Sequence, residues 1–304
     1  LRHATAGESL RDTPAYNSAG ATLPHPDSLS SPNRTDRTLA MKRRMLITGG
    51  SAGIGEACAR VWAANGWDLL LVARRTDKMQ KLAAELSTAH GCDVAIIAED
   101  LADPLAPSRL FEAIEARKLI VDGLINNAGY GVPGSLLSVP WSTHADFLRV
   151  LLWAPTELIY RLLPGMKERG FGRIVNVASL AGLVPGTAGH TLYGATKSYL
   201  IRFSQSLAQE VASDGIHVTA LCPGFTFSEF HDVNGMRSTV SKMPKFMWMD
   251  ATTVARQAYV ASDNGDIVYV NGRWNRFVRT LTKVLPDRWA LALVGSNAKR
   301  FRRT

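Results

Sequence analysis

From residue 44 onward the chain alternates short, largely apolar runs with longer amphipathic stretches. The apolar runs cover 44–48, 68–72, 94–97, 123–126, 173–178, 217–222 and 267–270, each four to six residues long and bounded by Gly, Pro, Asn or Asp. Runs of that length, apolar on both alternating sides, suit strands buried on both faces. Between them, 54–65, 77–90, 107–118, 144–168 and 193–213 repeat apolar positions at helical spacing. The alternation predicts a single α/β domain over 41–272, a doubly wound parallel sheet with helices on both faces. No internal repeat interrupts it. Residues 1–40 have no apolar periodicity and are rich in Ser, Thr, Pro, Ala and Arg, so disorder is expected there. That segment reads as an upstream translated stretch or cloning remnant, with an organelle transit peptide as the alternative and Met41 as the natural start.

Composition changes little in this picture. Apolar residues make up 46% and charged residues 20% of the 304, ordinary values for a globular protein with a large core. The longest apolar runs, such as 67–73, fall well short of the roughly 20 residues a membrane-spanning helix needs. Cys58, Cys92 and Cys222 are scattered without a C-x-x-C. Reduced thiols and a cytoplasmic location are expected rather than a disulfide framework or a metal site.

Charge is uneven. Residues 273–304 carry nine Lys or Arg against Asp287 alone, a net +8 of the chain's +9. Residues 1–44 contribute +3, leaving the body between them near neutral at −2. With no basic stripe on the body, a nucleic-acid partner is not expected. In the tail, basic residues alternate with Trp274, Phe277, Val278, Leu281, Val284, Leu285, Trp289, Leu291, Leu293 and Val294. The pattern predicts a pair of helices broken at Pro286. They lie on an anionic membrane surface or cap the pocket or a subunit interface.

The first strand runs into Thr48-Gly49-Gly50-Ser51-Ala52-Gly53-Ile54-Gly55 and then a helix. Glycines there allow a tight turn and close backbone approach to a pyrophosphate, which the positive end of the helix stabilises. The same residues match G-x-S-x-G, which would make Ser51 the nucleophile of a hydrolase. None of His90, His144, His190, His217 and His231 is marked as its partner, and nothing structured is expected before the first strand. At the end of the second strand, Val72-Ala73-Arg74-Arg75 carries no acid to hold a ribose hydroxyl. Arginine's planar fork suits a 2′-phosphate instead, Arg74 more than Arg75.

Further along come Asp100-Leu101, Asn126-Asn127-Ala128-Gly129, Ser179 at a strand end, and Tyr193-Gly194-Ala195-Thr196-Lys197. Tyr193 and Lys197, at i and i+4, share a helix face. An ammonium there is expected to lower the phenol's pKa and fit it for acid–base work. In this order, over 44 to about 272, the motifs resemble the one-domain, Rossmann-type form of the short-chain dehydrogenase/reductase family. The resemblance implies that Thr48, Gly49, Ser51, Gly53, Ile54 and Gly55 form the dinucleotide loop and that Asp100, with Leu101, meets the adenine. Asn126, Asn127, Ala128 and Gly129 would lie along the cofactor. Ser179 would position a carbonyl, Tyr193 pass the proton, and Lys197 bind the nicotinamide ribose. Pro223-Gly224 and Thr226 would cover the nicotinamide. Arg74 without an acid resembles the NADP(H)-preferring members.

Two departures stand out. Aligned through 150–155, Leu151 occupies the position where the family usually has the Asn of its proton relay, so Asn127 or a rearranged water would have to serve. One extra residue separates Ser179 from Tyr193, through Gly186-Thr187-Ala188-Gly189-His190, which is expected to reshape the substrate pocket. The functional expectation is interconversion of a ketone and a secondary alcohol by a homodimer or homotetramer. A bulky apolar or lipid-like small-molecule substrate is suggested by Phe225, Phe227, Phe230, Met236, Met243, Phe246, Met247, Trp248 and Met249, which otherwise pack a lid. The alternative from a different class is a non-catalytic NADP(H)-binding redox sensor.

Overall fold

The computed structural model describes residues 42–227 and 244–298, with side chains described as far as 295. Seven strands form one sheet: β1 (Arg44–Thr48), β2 (Asp68–Ala73), β3 (Val94–Ala98), β4 (Gly123–Asn126), β5 (Gly172–Val177), β6 (Ile216–Cys222) and, at its edge, β9 (Val268–Val270). Their order is β3-β2-β1-β4-β5-β6-β9, and every pair is parallel. The order reverses between β1 and β4, the switch point where doubly wound sheets open a crevice at their carboxyl ends.

Alternate residues of each strand feed opposite cores, which is why apolar residues fall on both faces of the runs. Met45, Ile47, Leu69 and Leu71 pack against α1 (Gly53–Ala64), α2 (Thr76–His90) and a later helix, α7 (Ala251–Asn264). Leu46, Leu70 and Val72 pack on the other face against α3 (Ala106–Ala116), α5 (Ala154–Glu168) and α6 (Thr191–Glu210). The expected fold class is observed, with strand edges within one residue of expectation.

The stretch expected as one helix over 144–168 is instead α4 (Trp141–Leu148), a π-turn (Arg149–Trp153) and α5. Pro155 has no N–H for the carbonyl four residues back, at Leu151, and its ring crowds that carbonyl. The backbone widens there instead of continuing.

The apolar pattern also leaves α7 unannounced. Its buried stripe is Val254, Ala255, Ala258 and Ala261, small residues that give a weak periodic signal. Its ends are better marked. Asp250 caps it by accepting from the Thr253 N–H at 3.0 Å, and Gly265 ends it in the left-handed region (φ 77°). Trp62 of α1 meets Tyr259 of α7 edge-to-face at 5.2 Å.

A second, two-stranded parallel sheet pairs β7 (Phe225–Phe227) with β8 (Trp248–Asp250). The tail forms α8 (Arg273–Val284) and α9 (Asp287–Ala298), broken at Pro286 as expected. Residues 1–41 lie outside the described residues, as do Phe230, Met236 and Met243. Cys58, Cys92 and Cys222 are free and buried. Among the described residues, no helix is long and apolar enough to cross a membrane.

Candidate active site

At the switch point, Thr48 ties the ends of β1 and β4 together. Its hydroxyl accepts the N–H groups of Asn127 (3.0 Å) and Ala128 (3.1 Å) and donates to the carbonyl of Ile125 (3.3 Å). Asn127 Nδ2 donates back to the carbonyls of Thr48 and Gly49, at 3.0 and 3.2 Å. This lacing requires glycine. A Cβ on Gly55 would lie 2.3 Å from the Gly49 oxygen and 2.5 Å from Asn127 Nδ2, and Gly49 itself has φ +66°. Ala52 at the N-cap of α1 supplies no side-chain acceptor, so the first-turn N–H groups have no partner from the cap. The combination fits a pyrophosphate.

Two arginines flank that loop. Arg75 Nη2 donates to Ser51 Oγ at 3.2 Å, binding the loop to the end of β2. Arg74 is 73% exposed and reaches Asp100 across 3.6 Å. Asp100 Oδ1 accepts the N–H of Ala102 (3.1 Å), which fixes the carboxylate. The two guanidinium groups suit a ribose carrying a phosphate. The sequence favours Arg74 over Arg75, yet it is Arg75 that touches the loop. The Leu101 side chain is buried among Ala106, Phe147 and Val150, so only its backbone is available to a ligand. Asn126 is a correction. As the last residue of β4 it lies opposite Asn176, and its Nδ2 donates to Asn176 Oδ1 (2.9 Å) inside the core rather than along the crevice.

Ser179 follows β5 and caps a 3-10 turn (Leu180–Gly182), accepting the Ala181 N–H at 3.1 Å. Its hydroxyl is also hydrogen-bonded to the Tyr193 phenol, which lowers the phenol's pKa. Burial is the larger effect and holds Tyr193 above its usual value. Desolvation outweighs the one lowering influence, the bond with Ser179, and the lowering expected from Lys197 is not observed. Lys197 lies with its ammonium 5.7 Å from the Tyr193 ring centroid and donates to the carbonyl of Val177 at 2.7 Å. Burial pulls its pKa down to about 8. Ser179, Tyr193 and Lys197 thus converge at the carboxyl edge of the sheet. Beyond β6, the Pro223 carbonyl accepts from the Leu180 N–H (2.9 Å), and Thr226 Oγ1 donates to the Gly224 carbonyl (3.2 Å).

Leu151 sits in the π-turn, buried with Phe147, Val150 and Ala154, and carries no polar group into the site. The Nδ2 end of the Asn127 amide is committed to the dinucleotide loop. The loop with the extra residue lines a groove of about 450 Å³ through Gly186, Thr187, Ala188 and His190, together with Ala181 and Val184. A space of about 10 Å³, the size of a water, lies beside Tyr193, lined by Val132, Leu136, His144 and Phe147.

Sequence reasoning missed the neighbour of Tyr193 within this loop. The His190 ring meets it edge-on at 6.5 Å, and burial lowers the pKa of the imidazole. The hydrolase reading of Ser51 lacks support from geometry, since its hydroxyl faces the Arg75 guanidinium, which cannot accept a proton.

The short chain dehydrogenase family matches residues 43–236 of the chain. Nodulation protein G of Rhizobium sp. (strain N33) is 35% identical over 239 residues, covering 76% of this chain and 96% of that protein. A short-chain dehydrogenase from Sphingobium yanoikuyae, solved in complex with NADPH, superposes with a TM-score of 0.70. It is 29% identical and spans 80% of this chain and 96% of its own. The bulky-bulky ketone specific alcohol dehydrogenase from Comamonas testosteroni gives a TM-score of 0.66 at 28% identity, over 80% and 95% of the two chains.

Proposed function

The chain belongs to the short-chain dehydrogenase family, and on that premise we propose that it is an NADP(H)-dependent oxidoreductase interconverting a ketone and a secondary alcohol. The observation that carries this reading is the convergence of Ser179, Tyr193 and Lys197. When bound, the nicotinamide supplies or accepts the hydride. In reduction, the Tyr193 O–H donates its proton to the carbonyl oxygen, Ser179 polarises that oxygen, and the Lys197 ammonium stabilises the phenolate left behind. Arg74 and Arg75 would hold the 2′-phosphate, and the glycine loop would hold the pyrophosphate. The NADPH complex of the Sphingobium relative supports the choice of cofactor.

The substrate class is an apolar or amphipathic ketone. Support comes from the bulky ketones of the Comamonas relative and from Phe225, Phe227 and Trp248 beside the Pro223–Gly224 segment. Trp153 and Tyr160, exposed seven residues apart at and just beyond the π-turn, support assembly into a homodimer or homotetramer.

The pH profile tests the division of roles. Lys197 loses its charge near pH 8, while burial keeps the Tyr193 phenol protonated beyond its usual value of 10. The kcat for ketone reduction is expected to fall with a limb near pH 8, and Lys197→Met to show a low plateau without that limb. A single limb above pH 10 in the wild type would assign the titration to Tyr193 and remove Lys197 from the mechanism. For folding the sign is opposite. The buried ammonium destabilises the native state below about pH 8, and that cost is relieved as pH rises toward the ordinary lysine value of 10.5.

A further inference from the structure

Helix α8 is packed inside out. Its buried side chains are polar, Asn275 at 5% and Thr282 at 8% exposure, while Phe277 is 54% and Val284 71% exposed. Asn275 explains the orientation. Its Nδ2 donates to the Asn271 carbonyl at 2.7 Å, and a Cβ on Gly224 would lie 2.5 Å from both ends of its amide. The helix is thus locked by its polar side onto the segment that follows β6. Trp274, Phe277, Leu281 and Val284 follow at spacings of three, four and three residues, which forms one apolar stripe turned largely away from that buried side. Phe246 extends the stripe, meeting Trp274 edge-to-face at 5.2 Å, and Trp274 meets Phe277 at 5.5 Å. Arg273, Arg276 and Lys283 are exposed beside it, and α9 adds exposed Arg288 and Trp289.

We propose that this face, built from α8, α9 and Phe246, docks on an anionic lipid surface. An apolar stripe flanked by long cationic side chains is the arrangement that lies in a bilayer interface, with rings among the acyl carbons and cations at the headgroups. Tryptophan is favoured at that depth. Charge selects lipid over a second copy of the chain. In a two-fold contact the same patch faces itself, and here that would oppose two faces each carrying Arg273, Arg276, Arg279, Lys283 and Arg288, with Asp287 as the one acid among the described residues of each tail. Because α8 is anchored at Gly224, docking would hold the carboxyl edge of the sheet near the membrane, where an amphipathic substrate partitions. The inference goes beyond the proposed reaction and does not depend on turnover.

The test is sedimentation of the full chain with vesicles of phosphatidylcholine, with and without phosphatidylglycerol. It is compared with Trp274→Ser/Phe277→Ser and with Arg273→Gln/Lys283→Gln/Arg288→Gln. Circular dichroism and NADPH binding serve as folding controls. The wild type is expected to sediment with the anionic vesicles, and each variant to lose about tenfold or more of its partitioning. Equal partitioning of the wild type and the aromatic variant would overturn the proposal, as would absence of wild-type binding. So would gel filtration in which the aromatic variant dissociates a larger assembly, since that would make the face a contact between copies.

Discussion

Tyr193→Phe is expected to lower kcat for ketone reduction by roughly 10²–10⁴-fold, the range typical of a lost proton donor, while NADPH binds as before. The substitution removes one oxygen and keeps the ring. The ring packs beside the cluster of Phe147, Val150 and Leu151, and the His190 ring meets it edge-on, so the pocket retains its shape. What disappears is the phenol's proton and its bond with Ser179. Ser179 keeps its bond from the Ala181 N–H, so no group is left stranded, and the stability cost is that of one hydrogen bond, about 1 kcal/mol. A stopped-flow or steady-state assay beside a calorimetric titration separates the two effects. Near-normal kcat would show that another group delivers the proton.

Gly55→Ala is expected to damage cofactor binding through the scaffold. The new methyl would sit 2.3 Å from the Gly49 carbonyl oxygen and 2.5 Å from Asn127 Nδ2, and the first of these is backbone. Relief requires the loop to move away from α1, which breaks the hydrogen bonds from Asn127 that hold Thr48 and Gly49. Overpacking of this kind costs about 1–3 kcal/mol of stability, and NADPH affinity should fall by about tenfold or more as the phosphate cradle opens. Gly186→Ala is the control, because a Cβ there meets nothing within 4 Å. Equal NADPH affinity in Gly55→Ala and the wild type would mean that the loop is not the phosphate site.

The order of strands and helices was legible because a parallel sheet buried on both faces writes itself as solid apolar runs. Met45 through Thr48 are all buried, and so are Leu69 through Val72. The chemistry was legible for a different reason. Tyr193 and Lys197 lie on one turn of one helix, so spacing alone brings them together.

What spacing could not convey was the surroundings. Desolvation reverses the expected direction of the Tyr193 shift, and that depends on residues from α4, the π-turn and the 186–190 loop. Asn126 and Asn127 are neighbours in sequence, yet one faces the core and the other the crevice, because side chains alternate at the end of β4. Pro155 was visible, but whether a proline kinks a helix, ends it or widens a turn is settled by the packing of Leu151 beneath it. The inside-out docking of α8 rests on Asn275 meeting Gly224, a contact between segments about fifty residues apart.

Oxidation of NADPH and of NADH by the purified protein, followed over a panel of bulky apolar ketones, decides whether the chain is an NADP(H)-dependent ketone reductase. Ketone-dependent oxidation is expected, with NADPH preferred by about tenfold or more through charge-assisted bonds from Arg74 and Arg75. NADPH binding without oxidation by any ketone, or equal use of the two nucleotides, would contradict that assignment.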